Sequence, residues 1–455
     1  MQLPAFQPGT SKTGRYFFLI SALCFVLSGL AGLLASVHVG VDSAHAEWIA
    51  HLRMQTLRPL HTMLSLVAMI AGGMAINCSL LSSIVPTAKK RIEEVSFILL
   101  MAFVFLAVGT MLIGKTSGRE YVTWIPQLSL ILIPAVVLTT VTVIRHYHEL
   151  SAASPEGYWL LLIGWLLTGF GLVETHSFLM PYIFDNAVRD LTSQWHGIDT
   201  VIAGVNVLLY AGLIFVLQRK PKPLRRRLLY LIAGFGLLGT FGHHHYASPQ
   251  PGYLKAFAFT ASMVAILSFF RHIIGYQKEW KEEKKEPHPV MPLILSAEYW
   301  TIVAVGSGIL FAIPQINFYV HGTYLIVIHA MGSMIGINFM IVIATGLLFM
   351  GYQPAHSHVS IRWGVRMVNG AIMLLWVGLT VPSLIKGILR TRESYQQFFP
   401  ITEPWLVLFP VCGLLLLAGI FVLASEVIWL VFSPRGVVNE ASTVKATDKP
   451  QLQVD

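Results

Sequence analysis

The chain alternates long apolar runs with short polar ones. Runs of membrane-crossing length, about 20 residues each, fall at 16–37, 57–82, 94–114, 124–144, 158–179, 195–217, 227–247, 254–275, 295–313, 321–350, 364–386 and 405–432. The pattern predicts an all-α polytopic membrane protein of about twelve transmembrane helices. No repeat and no soluble domain interrupts it. A single membrane-embedded domain is expected over 1–432, and the polar stretch 433–455 reads as a disordered cytoplasmic tail. One stretch breaks the apolar monotony. Residues 314–331 open as a polar, aromatic loop and run into an apolar segment, with His329 two turns in and Met331 two residues later. A histidine inside a bilayer helix costs free energy unless something binds it.

Composition excludes a soluble globule: 55% of residues are hydrophobic, 12% are charged and the mean hydropathy is +0.67. The net charge of +9 concerns topology, not nucleic acid. With the N-terminus in the cytoplasm, most Lys and Arg fall in inner loops, most densely in 219–227 and 278–285, as the positive-inside rule requires. A multi-pass protein with both termini cytoplasmic is expected. The first span lacks a small-residue cleavage site and reads as an uncleaved anchor. Cys24, Cys78 and Cys412 all fall inside spans, so no disulfide framework is implied.

Most of the 17 histidines lie in loops. The informative ones lie in or at the edge of spans. His61 follows Arg58-Pro59-Leu60, where a proline suits a helix start. His196 follows Trp195 and, taken alone, reads as an interfacial residue. His243, His244 and His245 are consecutive; neighbours on a helix diverge by about 100°, so two can clasp one metal only beyond the helix end. With odd spans running outward and even spans inward, His61, His196, His243, His244 and His329 share one depth, in the outer half of the membrane. Unrelated core histidines have no reason to agree on depth.

At these residues the sequence resembles the catalytic subunits of the haem-copper oxidase superfamily, and within it the large subunit of cytochrome-c-dependent nitric oxide reductase. Arg58-Pro59-Leu60-His61-Thr62, Gly118-Arg119-Glu120-Tyr121, the stretch 239–253 and the stretch 314–329 carry the resemblance, which covers nearly the whole chain. It implies that His329 is the proximal ligand of a high-spin haem and that His61 ligates a low-spin haem, both b-type. It implies that His196 and two of the three consecutive histidines hold a non-haem metal, iron or copper. Counting back from Pro251-Gly252-Tyr253 favours His243 and His244; the tripeptide His-His-Tyr favours His244 and His245. Glu120 would help bind calcium near the haem propionates, and Arg390 and Arg392 are propionate partners by charge.

Three departures matter. Met331 stands where the family has histidine; it either completes a His/Met pair on the low-spin haem, which raises the reduction potential, or packs as an ordinary core methionine. Thr200 stands where the reductases carry a glutamate, and Asp199 beside it is either a hard oxygen ligand, which suits iron better than copper, or a solvated residue or proton carrier. Thr123 replaces an acidic residue of the family's outer proton route.

The oxidases of the superfamily place a metal-linked tyrosine at positions that here are Thr200 and Leu237. Neither offers a phenol, which points to reduction of two NO to N2O rather than of O2. The chain has no Cys-x-x-Cys-His and hence no haem c of its own, so a cytochrome c-type subunit or soluble cytochrome is the expected donor. A bacterial inner membrane is the expected location. The competing readings are an O2 reductase with a displaced tyrosine, a haem electron carrier or NO sensor, and a transporter. The last gives no reason for several histidines at one depth.

Overall fold

A computed structural model describes residues 9–40, 53–85, 90–176, 186–217, 231, 234–235, 238–239, 251–282, 289–352 and 358–433. Among them there is no strand. Backbone in hydrocarbon must satisfy its own hydrogen bonds, and helices do so within one segment. The main helices are α1 (Lys12–Gly40), α2 (Met54–Ile84), α3 (Arg91–Leu112), α4 (Ser129–Arg145), α5 (Pro155–His176), α6 (Ala187–Leu217), α7 (Gly252–Glu282), α8 (Met291–Phe311), α9 (Pro314–Val320), α10 (Tyr324–Phe349), α11 (His358–Leu389) and α12 (Leu408–Phe432).

Ten described helical stretches are long and apolar enough to cross a membrane; α7 adds an apolar helix over Gly252–Ser268, too short to count. The seventh expected run, 227–247, lies largely outside the described residues, as do His243, His244, His245, Leu237 and the stretch 434–455.

The bundle is built around α2. Every residue from Met63 to Leu81 is buried, so this helix has no lipid face. Helix α3 differs: Ile98, Phe105 and Leu112 are all more than 60% exposed, as a helix at the lipid boundary requires. α1 packs along α2, and α12 packs along α1 and α11. α6 and α10 also rest on α2. The side chains of Asn338 on α10 and Asn206 on α6 are joined by a 2.7 Å hydrogen bond. The three cysteines are buried and unbridged.

Two local expectations are corrected. Helix α2 starts at Met54 rather than at 57, so Pro59 lies inside it. A proline in the second turn forfeits only one early backbone bond, and its carbonyl accepts from Thr62 Oγ1 at 3.2 Å and Thr123 Oγ1 at 3.0 Å. The stretch expected as a loop at 314–320 is helix α9, with Pro314 in its first turn, where the missing N–H would be unpaired in any case. The break between α9 and α10 comes at Gly322, whose φ is +74°.

Two of the spans are not uniform α-helix. In α8, residues Thr301–Val305 are π-helical; in α10, Gly332–Phe339 are. The two π segments pack against each other. Gly332 and Gly336 lie against the indole of Trp300, so close that a Cβ at Gly336 would sit 2.7 Å from its Cδ1. Trp300 is pinned in turn, its Nε1 donating at 2.8 Å to Asn369 Oδ1 on α11, which also accepts from Ser296 Oγ at 2.7 Å.

Candidate metal centre

His61 lies in the third turn of α2. Its ring lies against α1 at Gly32, where a Cβ would come within 2.7 Å of Nδ1; only glycine leaves that room. Nδ1 is 2.8 Å from the Ser28 carbonyl oxygen, and Ser28 Oγ donates to the His61 carbonyl at 2.8 Å. A carbonyl only accepts, so the proton sits on Nδ1 and the lone pair on Nε2.

His329 lies in the second turn of α10. Ser307 Oγ donates to the Ala304 carbonyl at 2.9 Å and lies 3.3 Å from His329 Nδ1. With its proton committed, that hydroxyl accepts from Nδ1–H. The ring lies against Gly308 and edge-on to Phe311, with centroids 5.8 Å apart. The π segment of α8 ends immediately before Gly306 and so sets which residues meet the imidazole.

His196 is buried in α6. Its Nδ1 is 2.5 Å from Glu174 Oε2 on α5, which again puts the proton on Nδ1. The contact depends on how closely α5 and α6 approach. Gly164 and Gly171 on α5 face Gly204 and Gly197 on α6. A Cβ on Gly197 would lie 2.6 Å from the Thr175 nitrogen, and one on Gly171 2.6 Å from the Gly197 carbonyl oxygen. Small residues at seven-residue spacing let the backbones touch.

These three histidines sit on three helices, and each gives Nδ1–H to the protein and keeps the lone pair on Nε2. That is the tautomer a metal needs, fixed by partners behind the ring. With a partner at Nδ1, each of the three rings could bind a metal through Nε2.

The loop 113–125 ties these helices together at the end where His61 lies. Gly118 has φ +72° and Tyr121 φ +59°, a conformation rare for a residue with a side chain. Arg119 donates to the Thr175 carbonyl at the end of α5 and pairs with Asp190 on α6 at 2.6 Å. Glu120 pairs with Arg58 on α2 at 2.8 Å, so the carboxylate expected to help bind calcium already has a cation on it. Burial, with the carboxylates of Glu120 and Asp199 nearby, pushes the Tyr121 phenol well above its ordinary range. The Gly-Arg-Glu-Tyr stretch thus joins the His61 helix to the His196 helix.

The other expected residues are placed as follows. Asp199 is half-buried on α6, one turn beyond His196; Thr200 is fully buried. Met331 is half-buried at the last residue before the π segment of α10. Arg390 donates to the Phe318 and His321 carbonyls at the end of α9, and Arg392 is exposed. Thr123 is buried and bonded to Pro59.

Sequence reasoning passed over Glu174 and His176. His176 is buried at the end of α5, with Nδ1 2.8 Å from Ser129 Oγ, which accepts from Trp124 Nε1 at 2.9 Å. Neither residue stands in a pattern that would have singled it out.

The family model for cytochrome c and quinol oxidase polypeptide I matches residues 12–415. The chain belongs to that family. Its fold is similar to that of a haem-copper terminal oxidase dimer solved by cryo-electron microscopy, with a TM-score of 0.71 at 14% identity, over 93% of this chain and 85% of that one. Members of the family are membrane-embedded oxidoreductases that bind haems and a copper or non-haem metal, and draw electrons from cytochrome c or quinol.

Proposed function

We propose that the chain is the catalytic subunit of a nitric oxide reductase, reducing two NO to N2O with electrons from a cytochrome c-type donor. The observation that carries the choice of gas is Thr200. It is buried one turn beyond His196, at one of the two positions where oxidases of the superfamily carry the phenol that helps supply the four electrons of O2 reduction; the other is Leu237, and NO coupling needs only two electrons.

In this reading His61 and Met331 would hold the low-spin haem, and His329 would hold the high-spin haem. His196, two of His243, His244 and His245, and Asp199 as oxygen donor hold iron, with copper the alternative. Bound haem and iron supply the redox chemistry and the Lewis acidity that favour charge on the reacting gas. The chain's own residues do the rest. Ser28, Ser307 and Glu174 fix the three imidazoles, the seam between α5 and α6 excludes water, and Arg390 and Arg392 meet haem propionates. The end carrying His61 is the outer face of a bacterial inner membrane, and both chain termini are cytoplasmic.

Gas turnover and metal analysis of the purified protein test this together. Two haems and one non-haem iron are expected, with N2O formed from NO and little water from O2; Asp199→Asn should keep both haems and lose the iron. Fast O2 reduction with negligible N2O would make the chain a terminal oxidase. Two haems with neither iron nor copper would make it an electron carrier or sensor.

A further inference from the structure

We propose that Glu174 is the positioning residue of the non-haem metal centre, holding His196 from the neighbouring helix. The proposal rests on the reading of His196 as a metal ligand. Glu174 Oε2 accepts from His196 Nδ1 at 2.5 Å, and the two side chains are 18% and 4% exposed. A carboxylate is a strong acceptor for an imidazole whose other nitrogen binds a cation, because the metal draws density from the ring and strengthens the N–H as a donor.

The surroundings hold the carboxylate in place. Its own backbone carbonyl accepts from Ser193 Oγ on α6 at 3.2 Å. The next carbonyl, that of Thr175, accepts from Arg119. Gly197, directly after His196, touches the Thr175 backbone. These contacts fix the backbone that carries Glu174 beside the ring, and the ring is edge-on to Phe170, with centroids 6.3 Å apart. Negative charge behind the His196 ring thus comes from α5, across the seam.

The test uses the purified full-length protein and iron as the probe, read as iron retained per two haems during dialysis against a chelator. Glu174→Ala is expected to weaken retention by about 10- to 100-fold. Glu174→Gln keeps an acceptor but no charge. It should fall between Glu174→Ala and the unsubstituted protein, with the reduction potential of the non-haem iron shifted upward. Haem content and haem spectra report folding in each variant. Asp190→Asn loosens the same junction without touching His196 and should retain iron normally. The proposal is overturned if both Glu174 variants hold iron as the unsubstituted protein does, or if Asp190→Asn loses as much as Glu174→Gln. A preparation of the unsubstituted protein without non-haem metal overturns the functional reading itself, a separate result.

Discussion

Two junctions place two of the described imidazoles, His196 and His329, by opposite means. Between α5 and α6, His196 is set by backbone contact: glycines at 164, 171, 197 and 204 let the two backbones touch. Between α8 and α10, His329 is set by register. Both helices pass through π segments, each accommodating extra residues in the helical path, and the result is locked by Trp300 wedged against Gly332 and Gly336. A backbone seam tolerates no added atom. A junction made of side chains can give by a few tenths of an ångström.

The same small change should therefore cost very different amounts at the two places. Gly197→Ala puts a Cβ 2.5 Å from Thr175 Oγ1, 2.6 Å from the Thr175 nitrogen and 2.8 Å from its Cα. Two of these three atoms are backbone, so the helices must part. We expect a loss of roughly 3 kcal/mol or more, at the upper end of overpacking costs, seen as a lowered unfolding midpoint in detergent and as lost non-haem metal. An unchanged midpoint would show that the seam is looser than its geometry.

Gly308→Ala is the matching change at the other junction. Its Cβ would stand 3.0 Å from His329 Cε1, with nothing else closer than 3.7 Å. The neighbour is a single imidazole edge, which can tilt. We expect about 1 kcal/mol or less, together with a shifted high-spin haem spectrum. A cost equal to that of Gly197→Ala would erase the distinction between the two junctions.

The two junctions were also unequally legible. The apolar runs located the helices, and the histidines within them stood out as candidates because bilayer cost leaves a sharp trace in composition. The α5/α6 seam left a trace as well, in glycines seven apart on both partners. Glu174 left none: a single acid near the end of a span is ordinary, and its meaning lies in a residue 22 positions away. The π segments were invisible for a different reason. In an apolar stretch buried on most sides there is no polar face whose drift would betray a change of pitch, so Gly332–Phe339 looks like any other part of its span. Pro59 and Pro314 misled the expected boundaries in opposite directions: one was given a helix start and lies inside a helix, the other was given a loop and starts a helix.

Met331 is where the register argument meets the chemistry. It is the last α-helical residue before the π segment, so its side chain direction is fixed by the α-turn holding His329, while everything after it is rotated. His329 and Met331 are two residues apart, about 200° around the helix, and so point to nearly opposite sides. In the proposed reading that divergence would let one helix serve two haems, and it holds only if the change of pitch comes after Met331. Met331→Leu keeps volume and apolarity, so stability should change by less than about 1.5 kcal/mol. Its spectroscopic effect should nevertheless be large: the low-spin haem loses a thioether ligand, with its reduction potential lowered and the methionine-to-iron signature gone. A low-spin haem indistinguishable from the unsubstituted protein's would return Met331 to the packing between α10 and its neighbours, and His61 would then need a different partner across the iron.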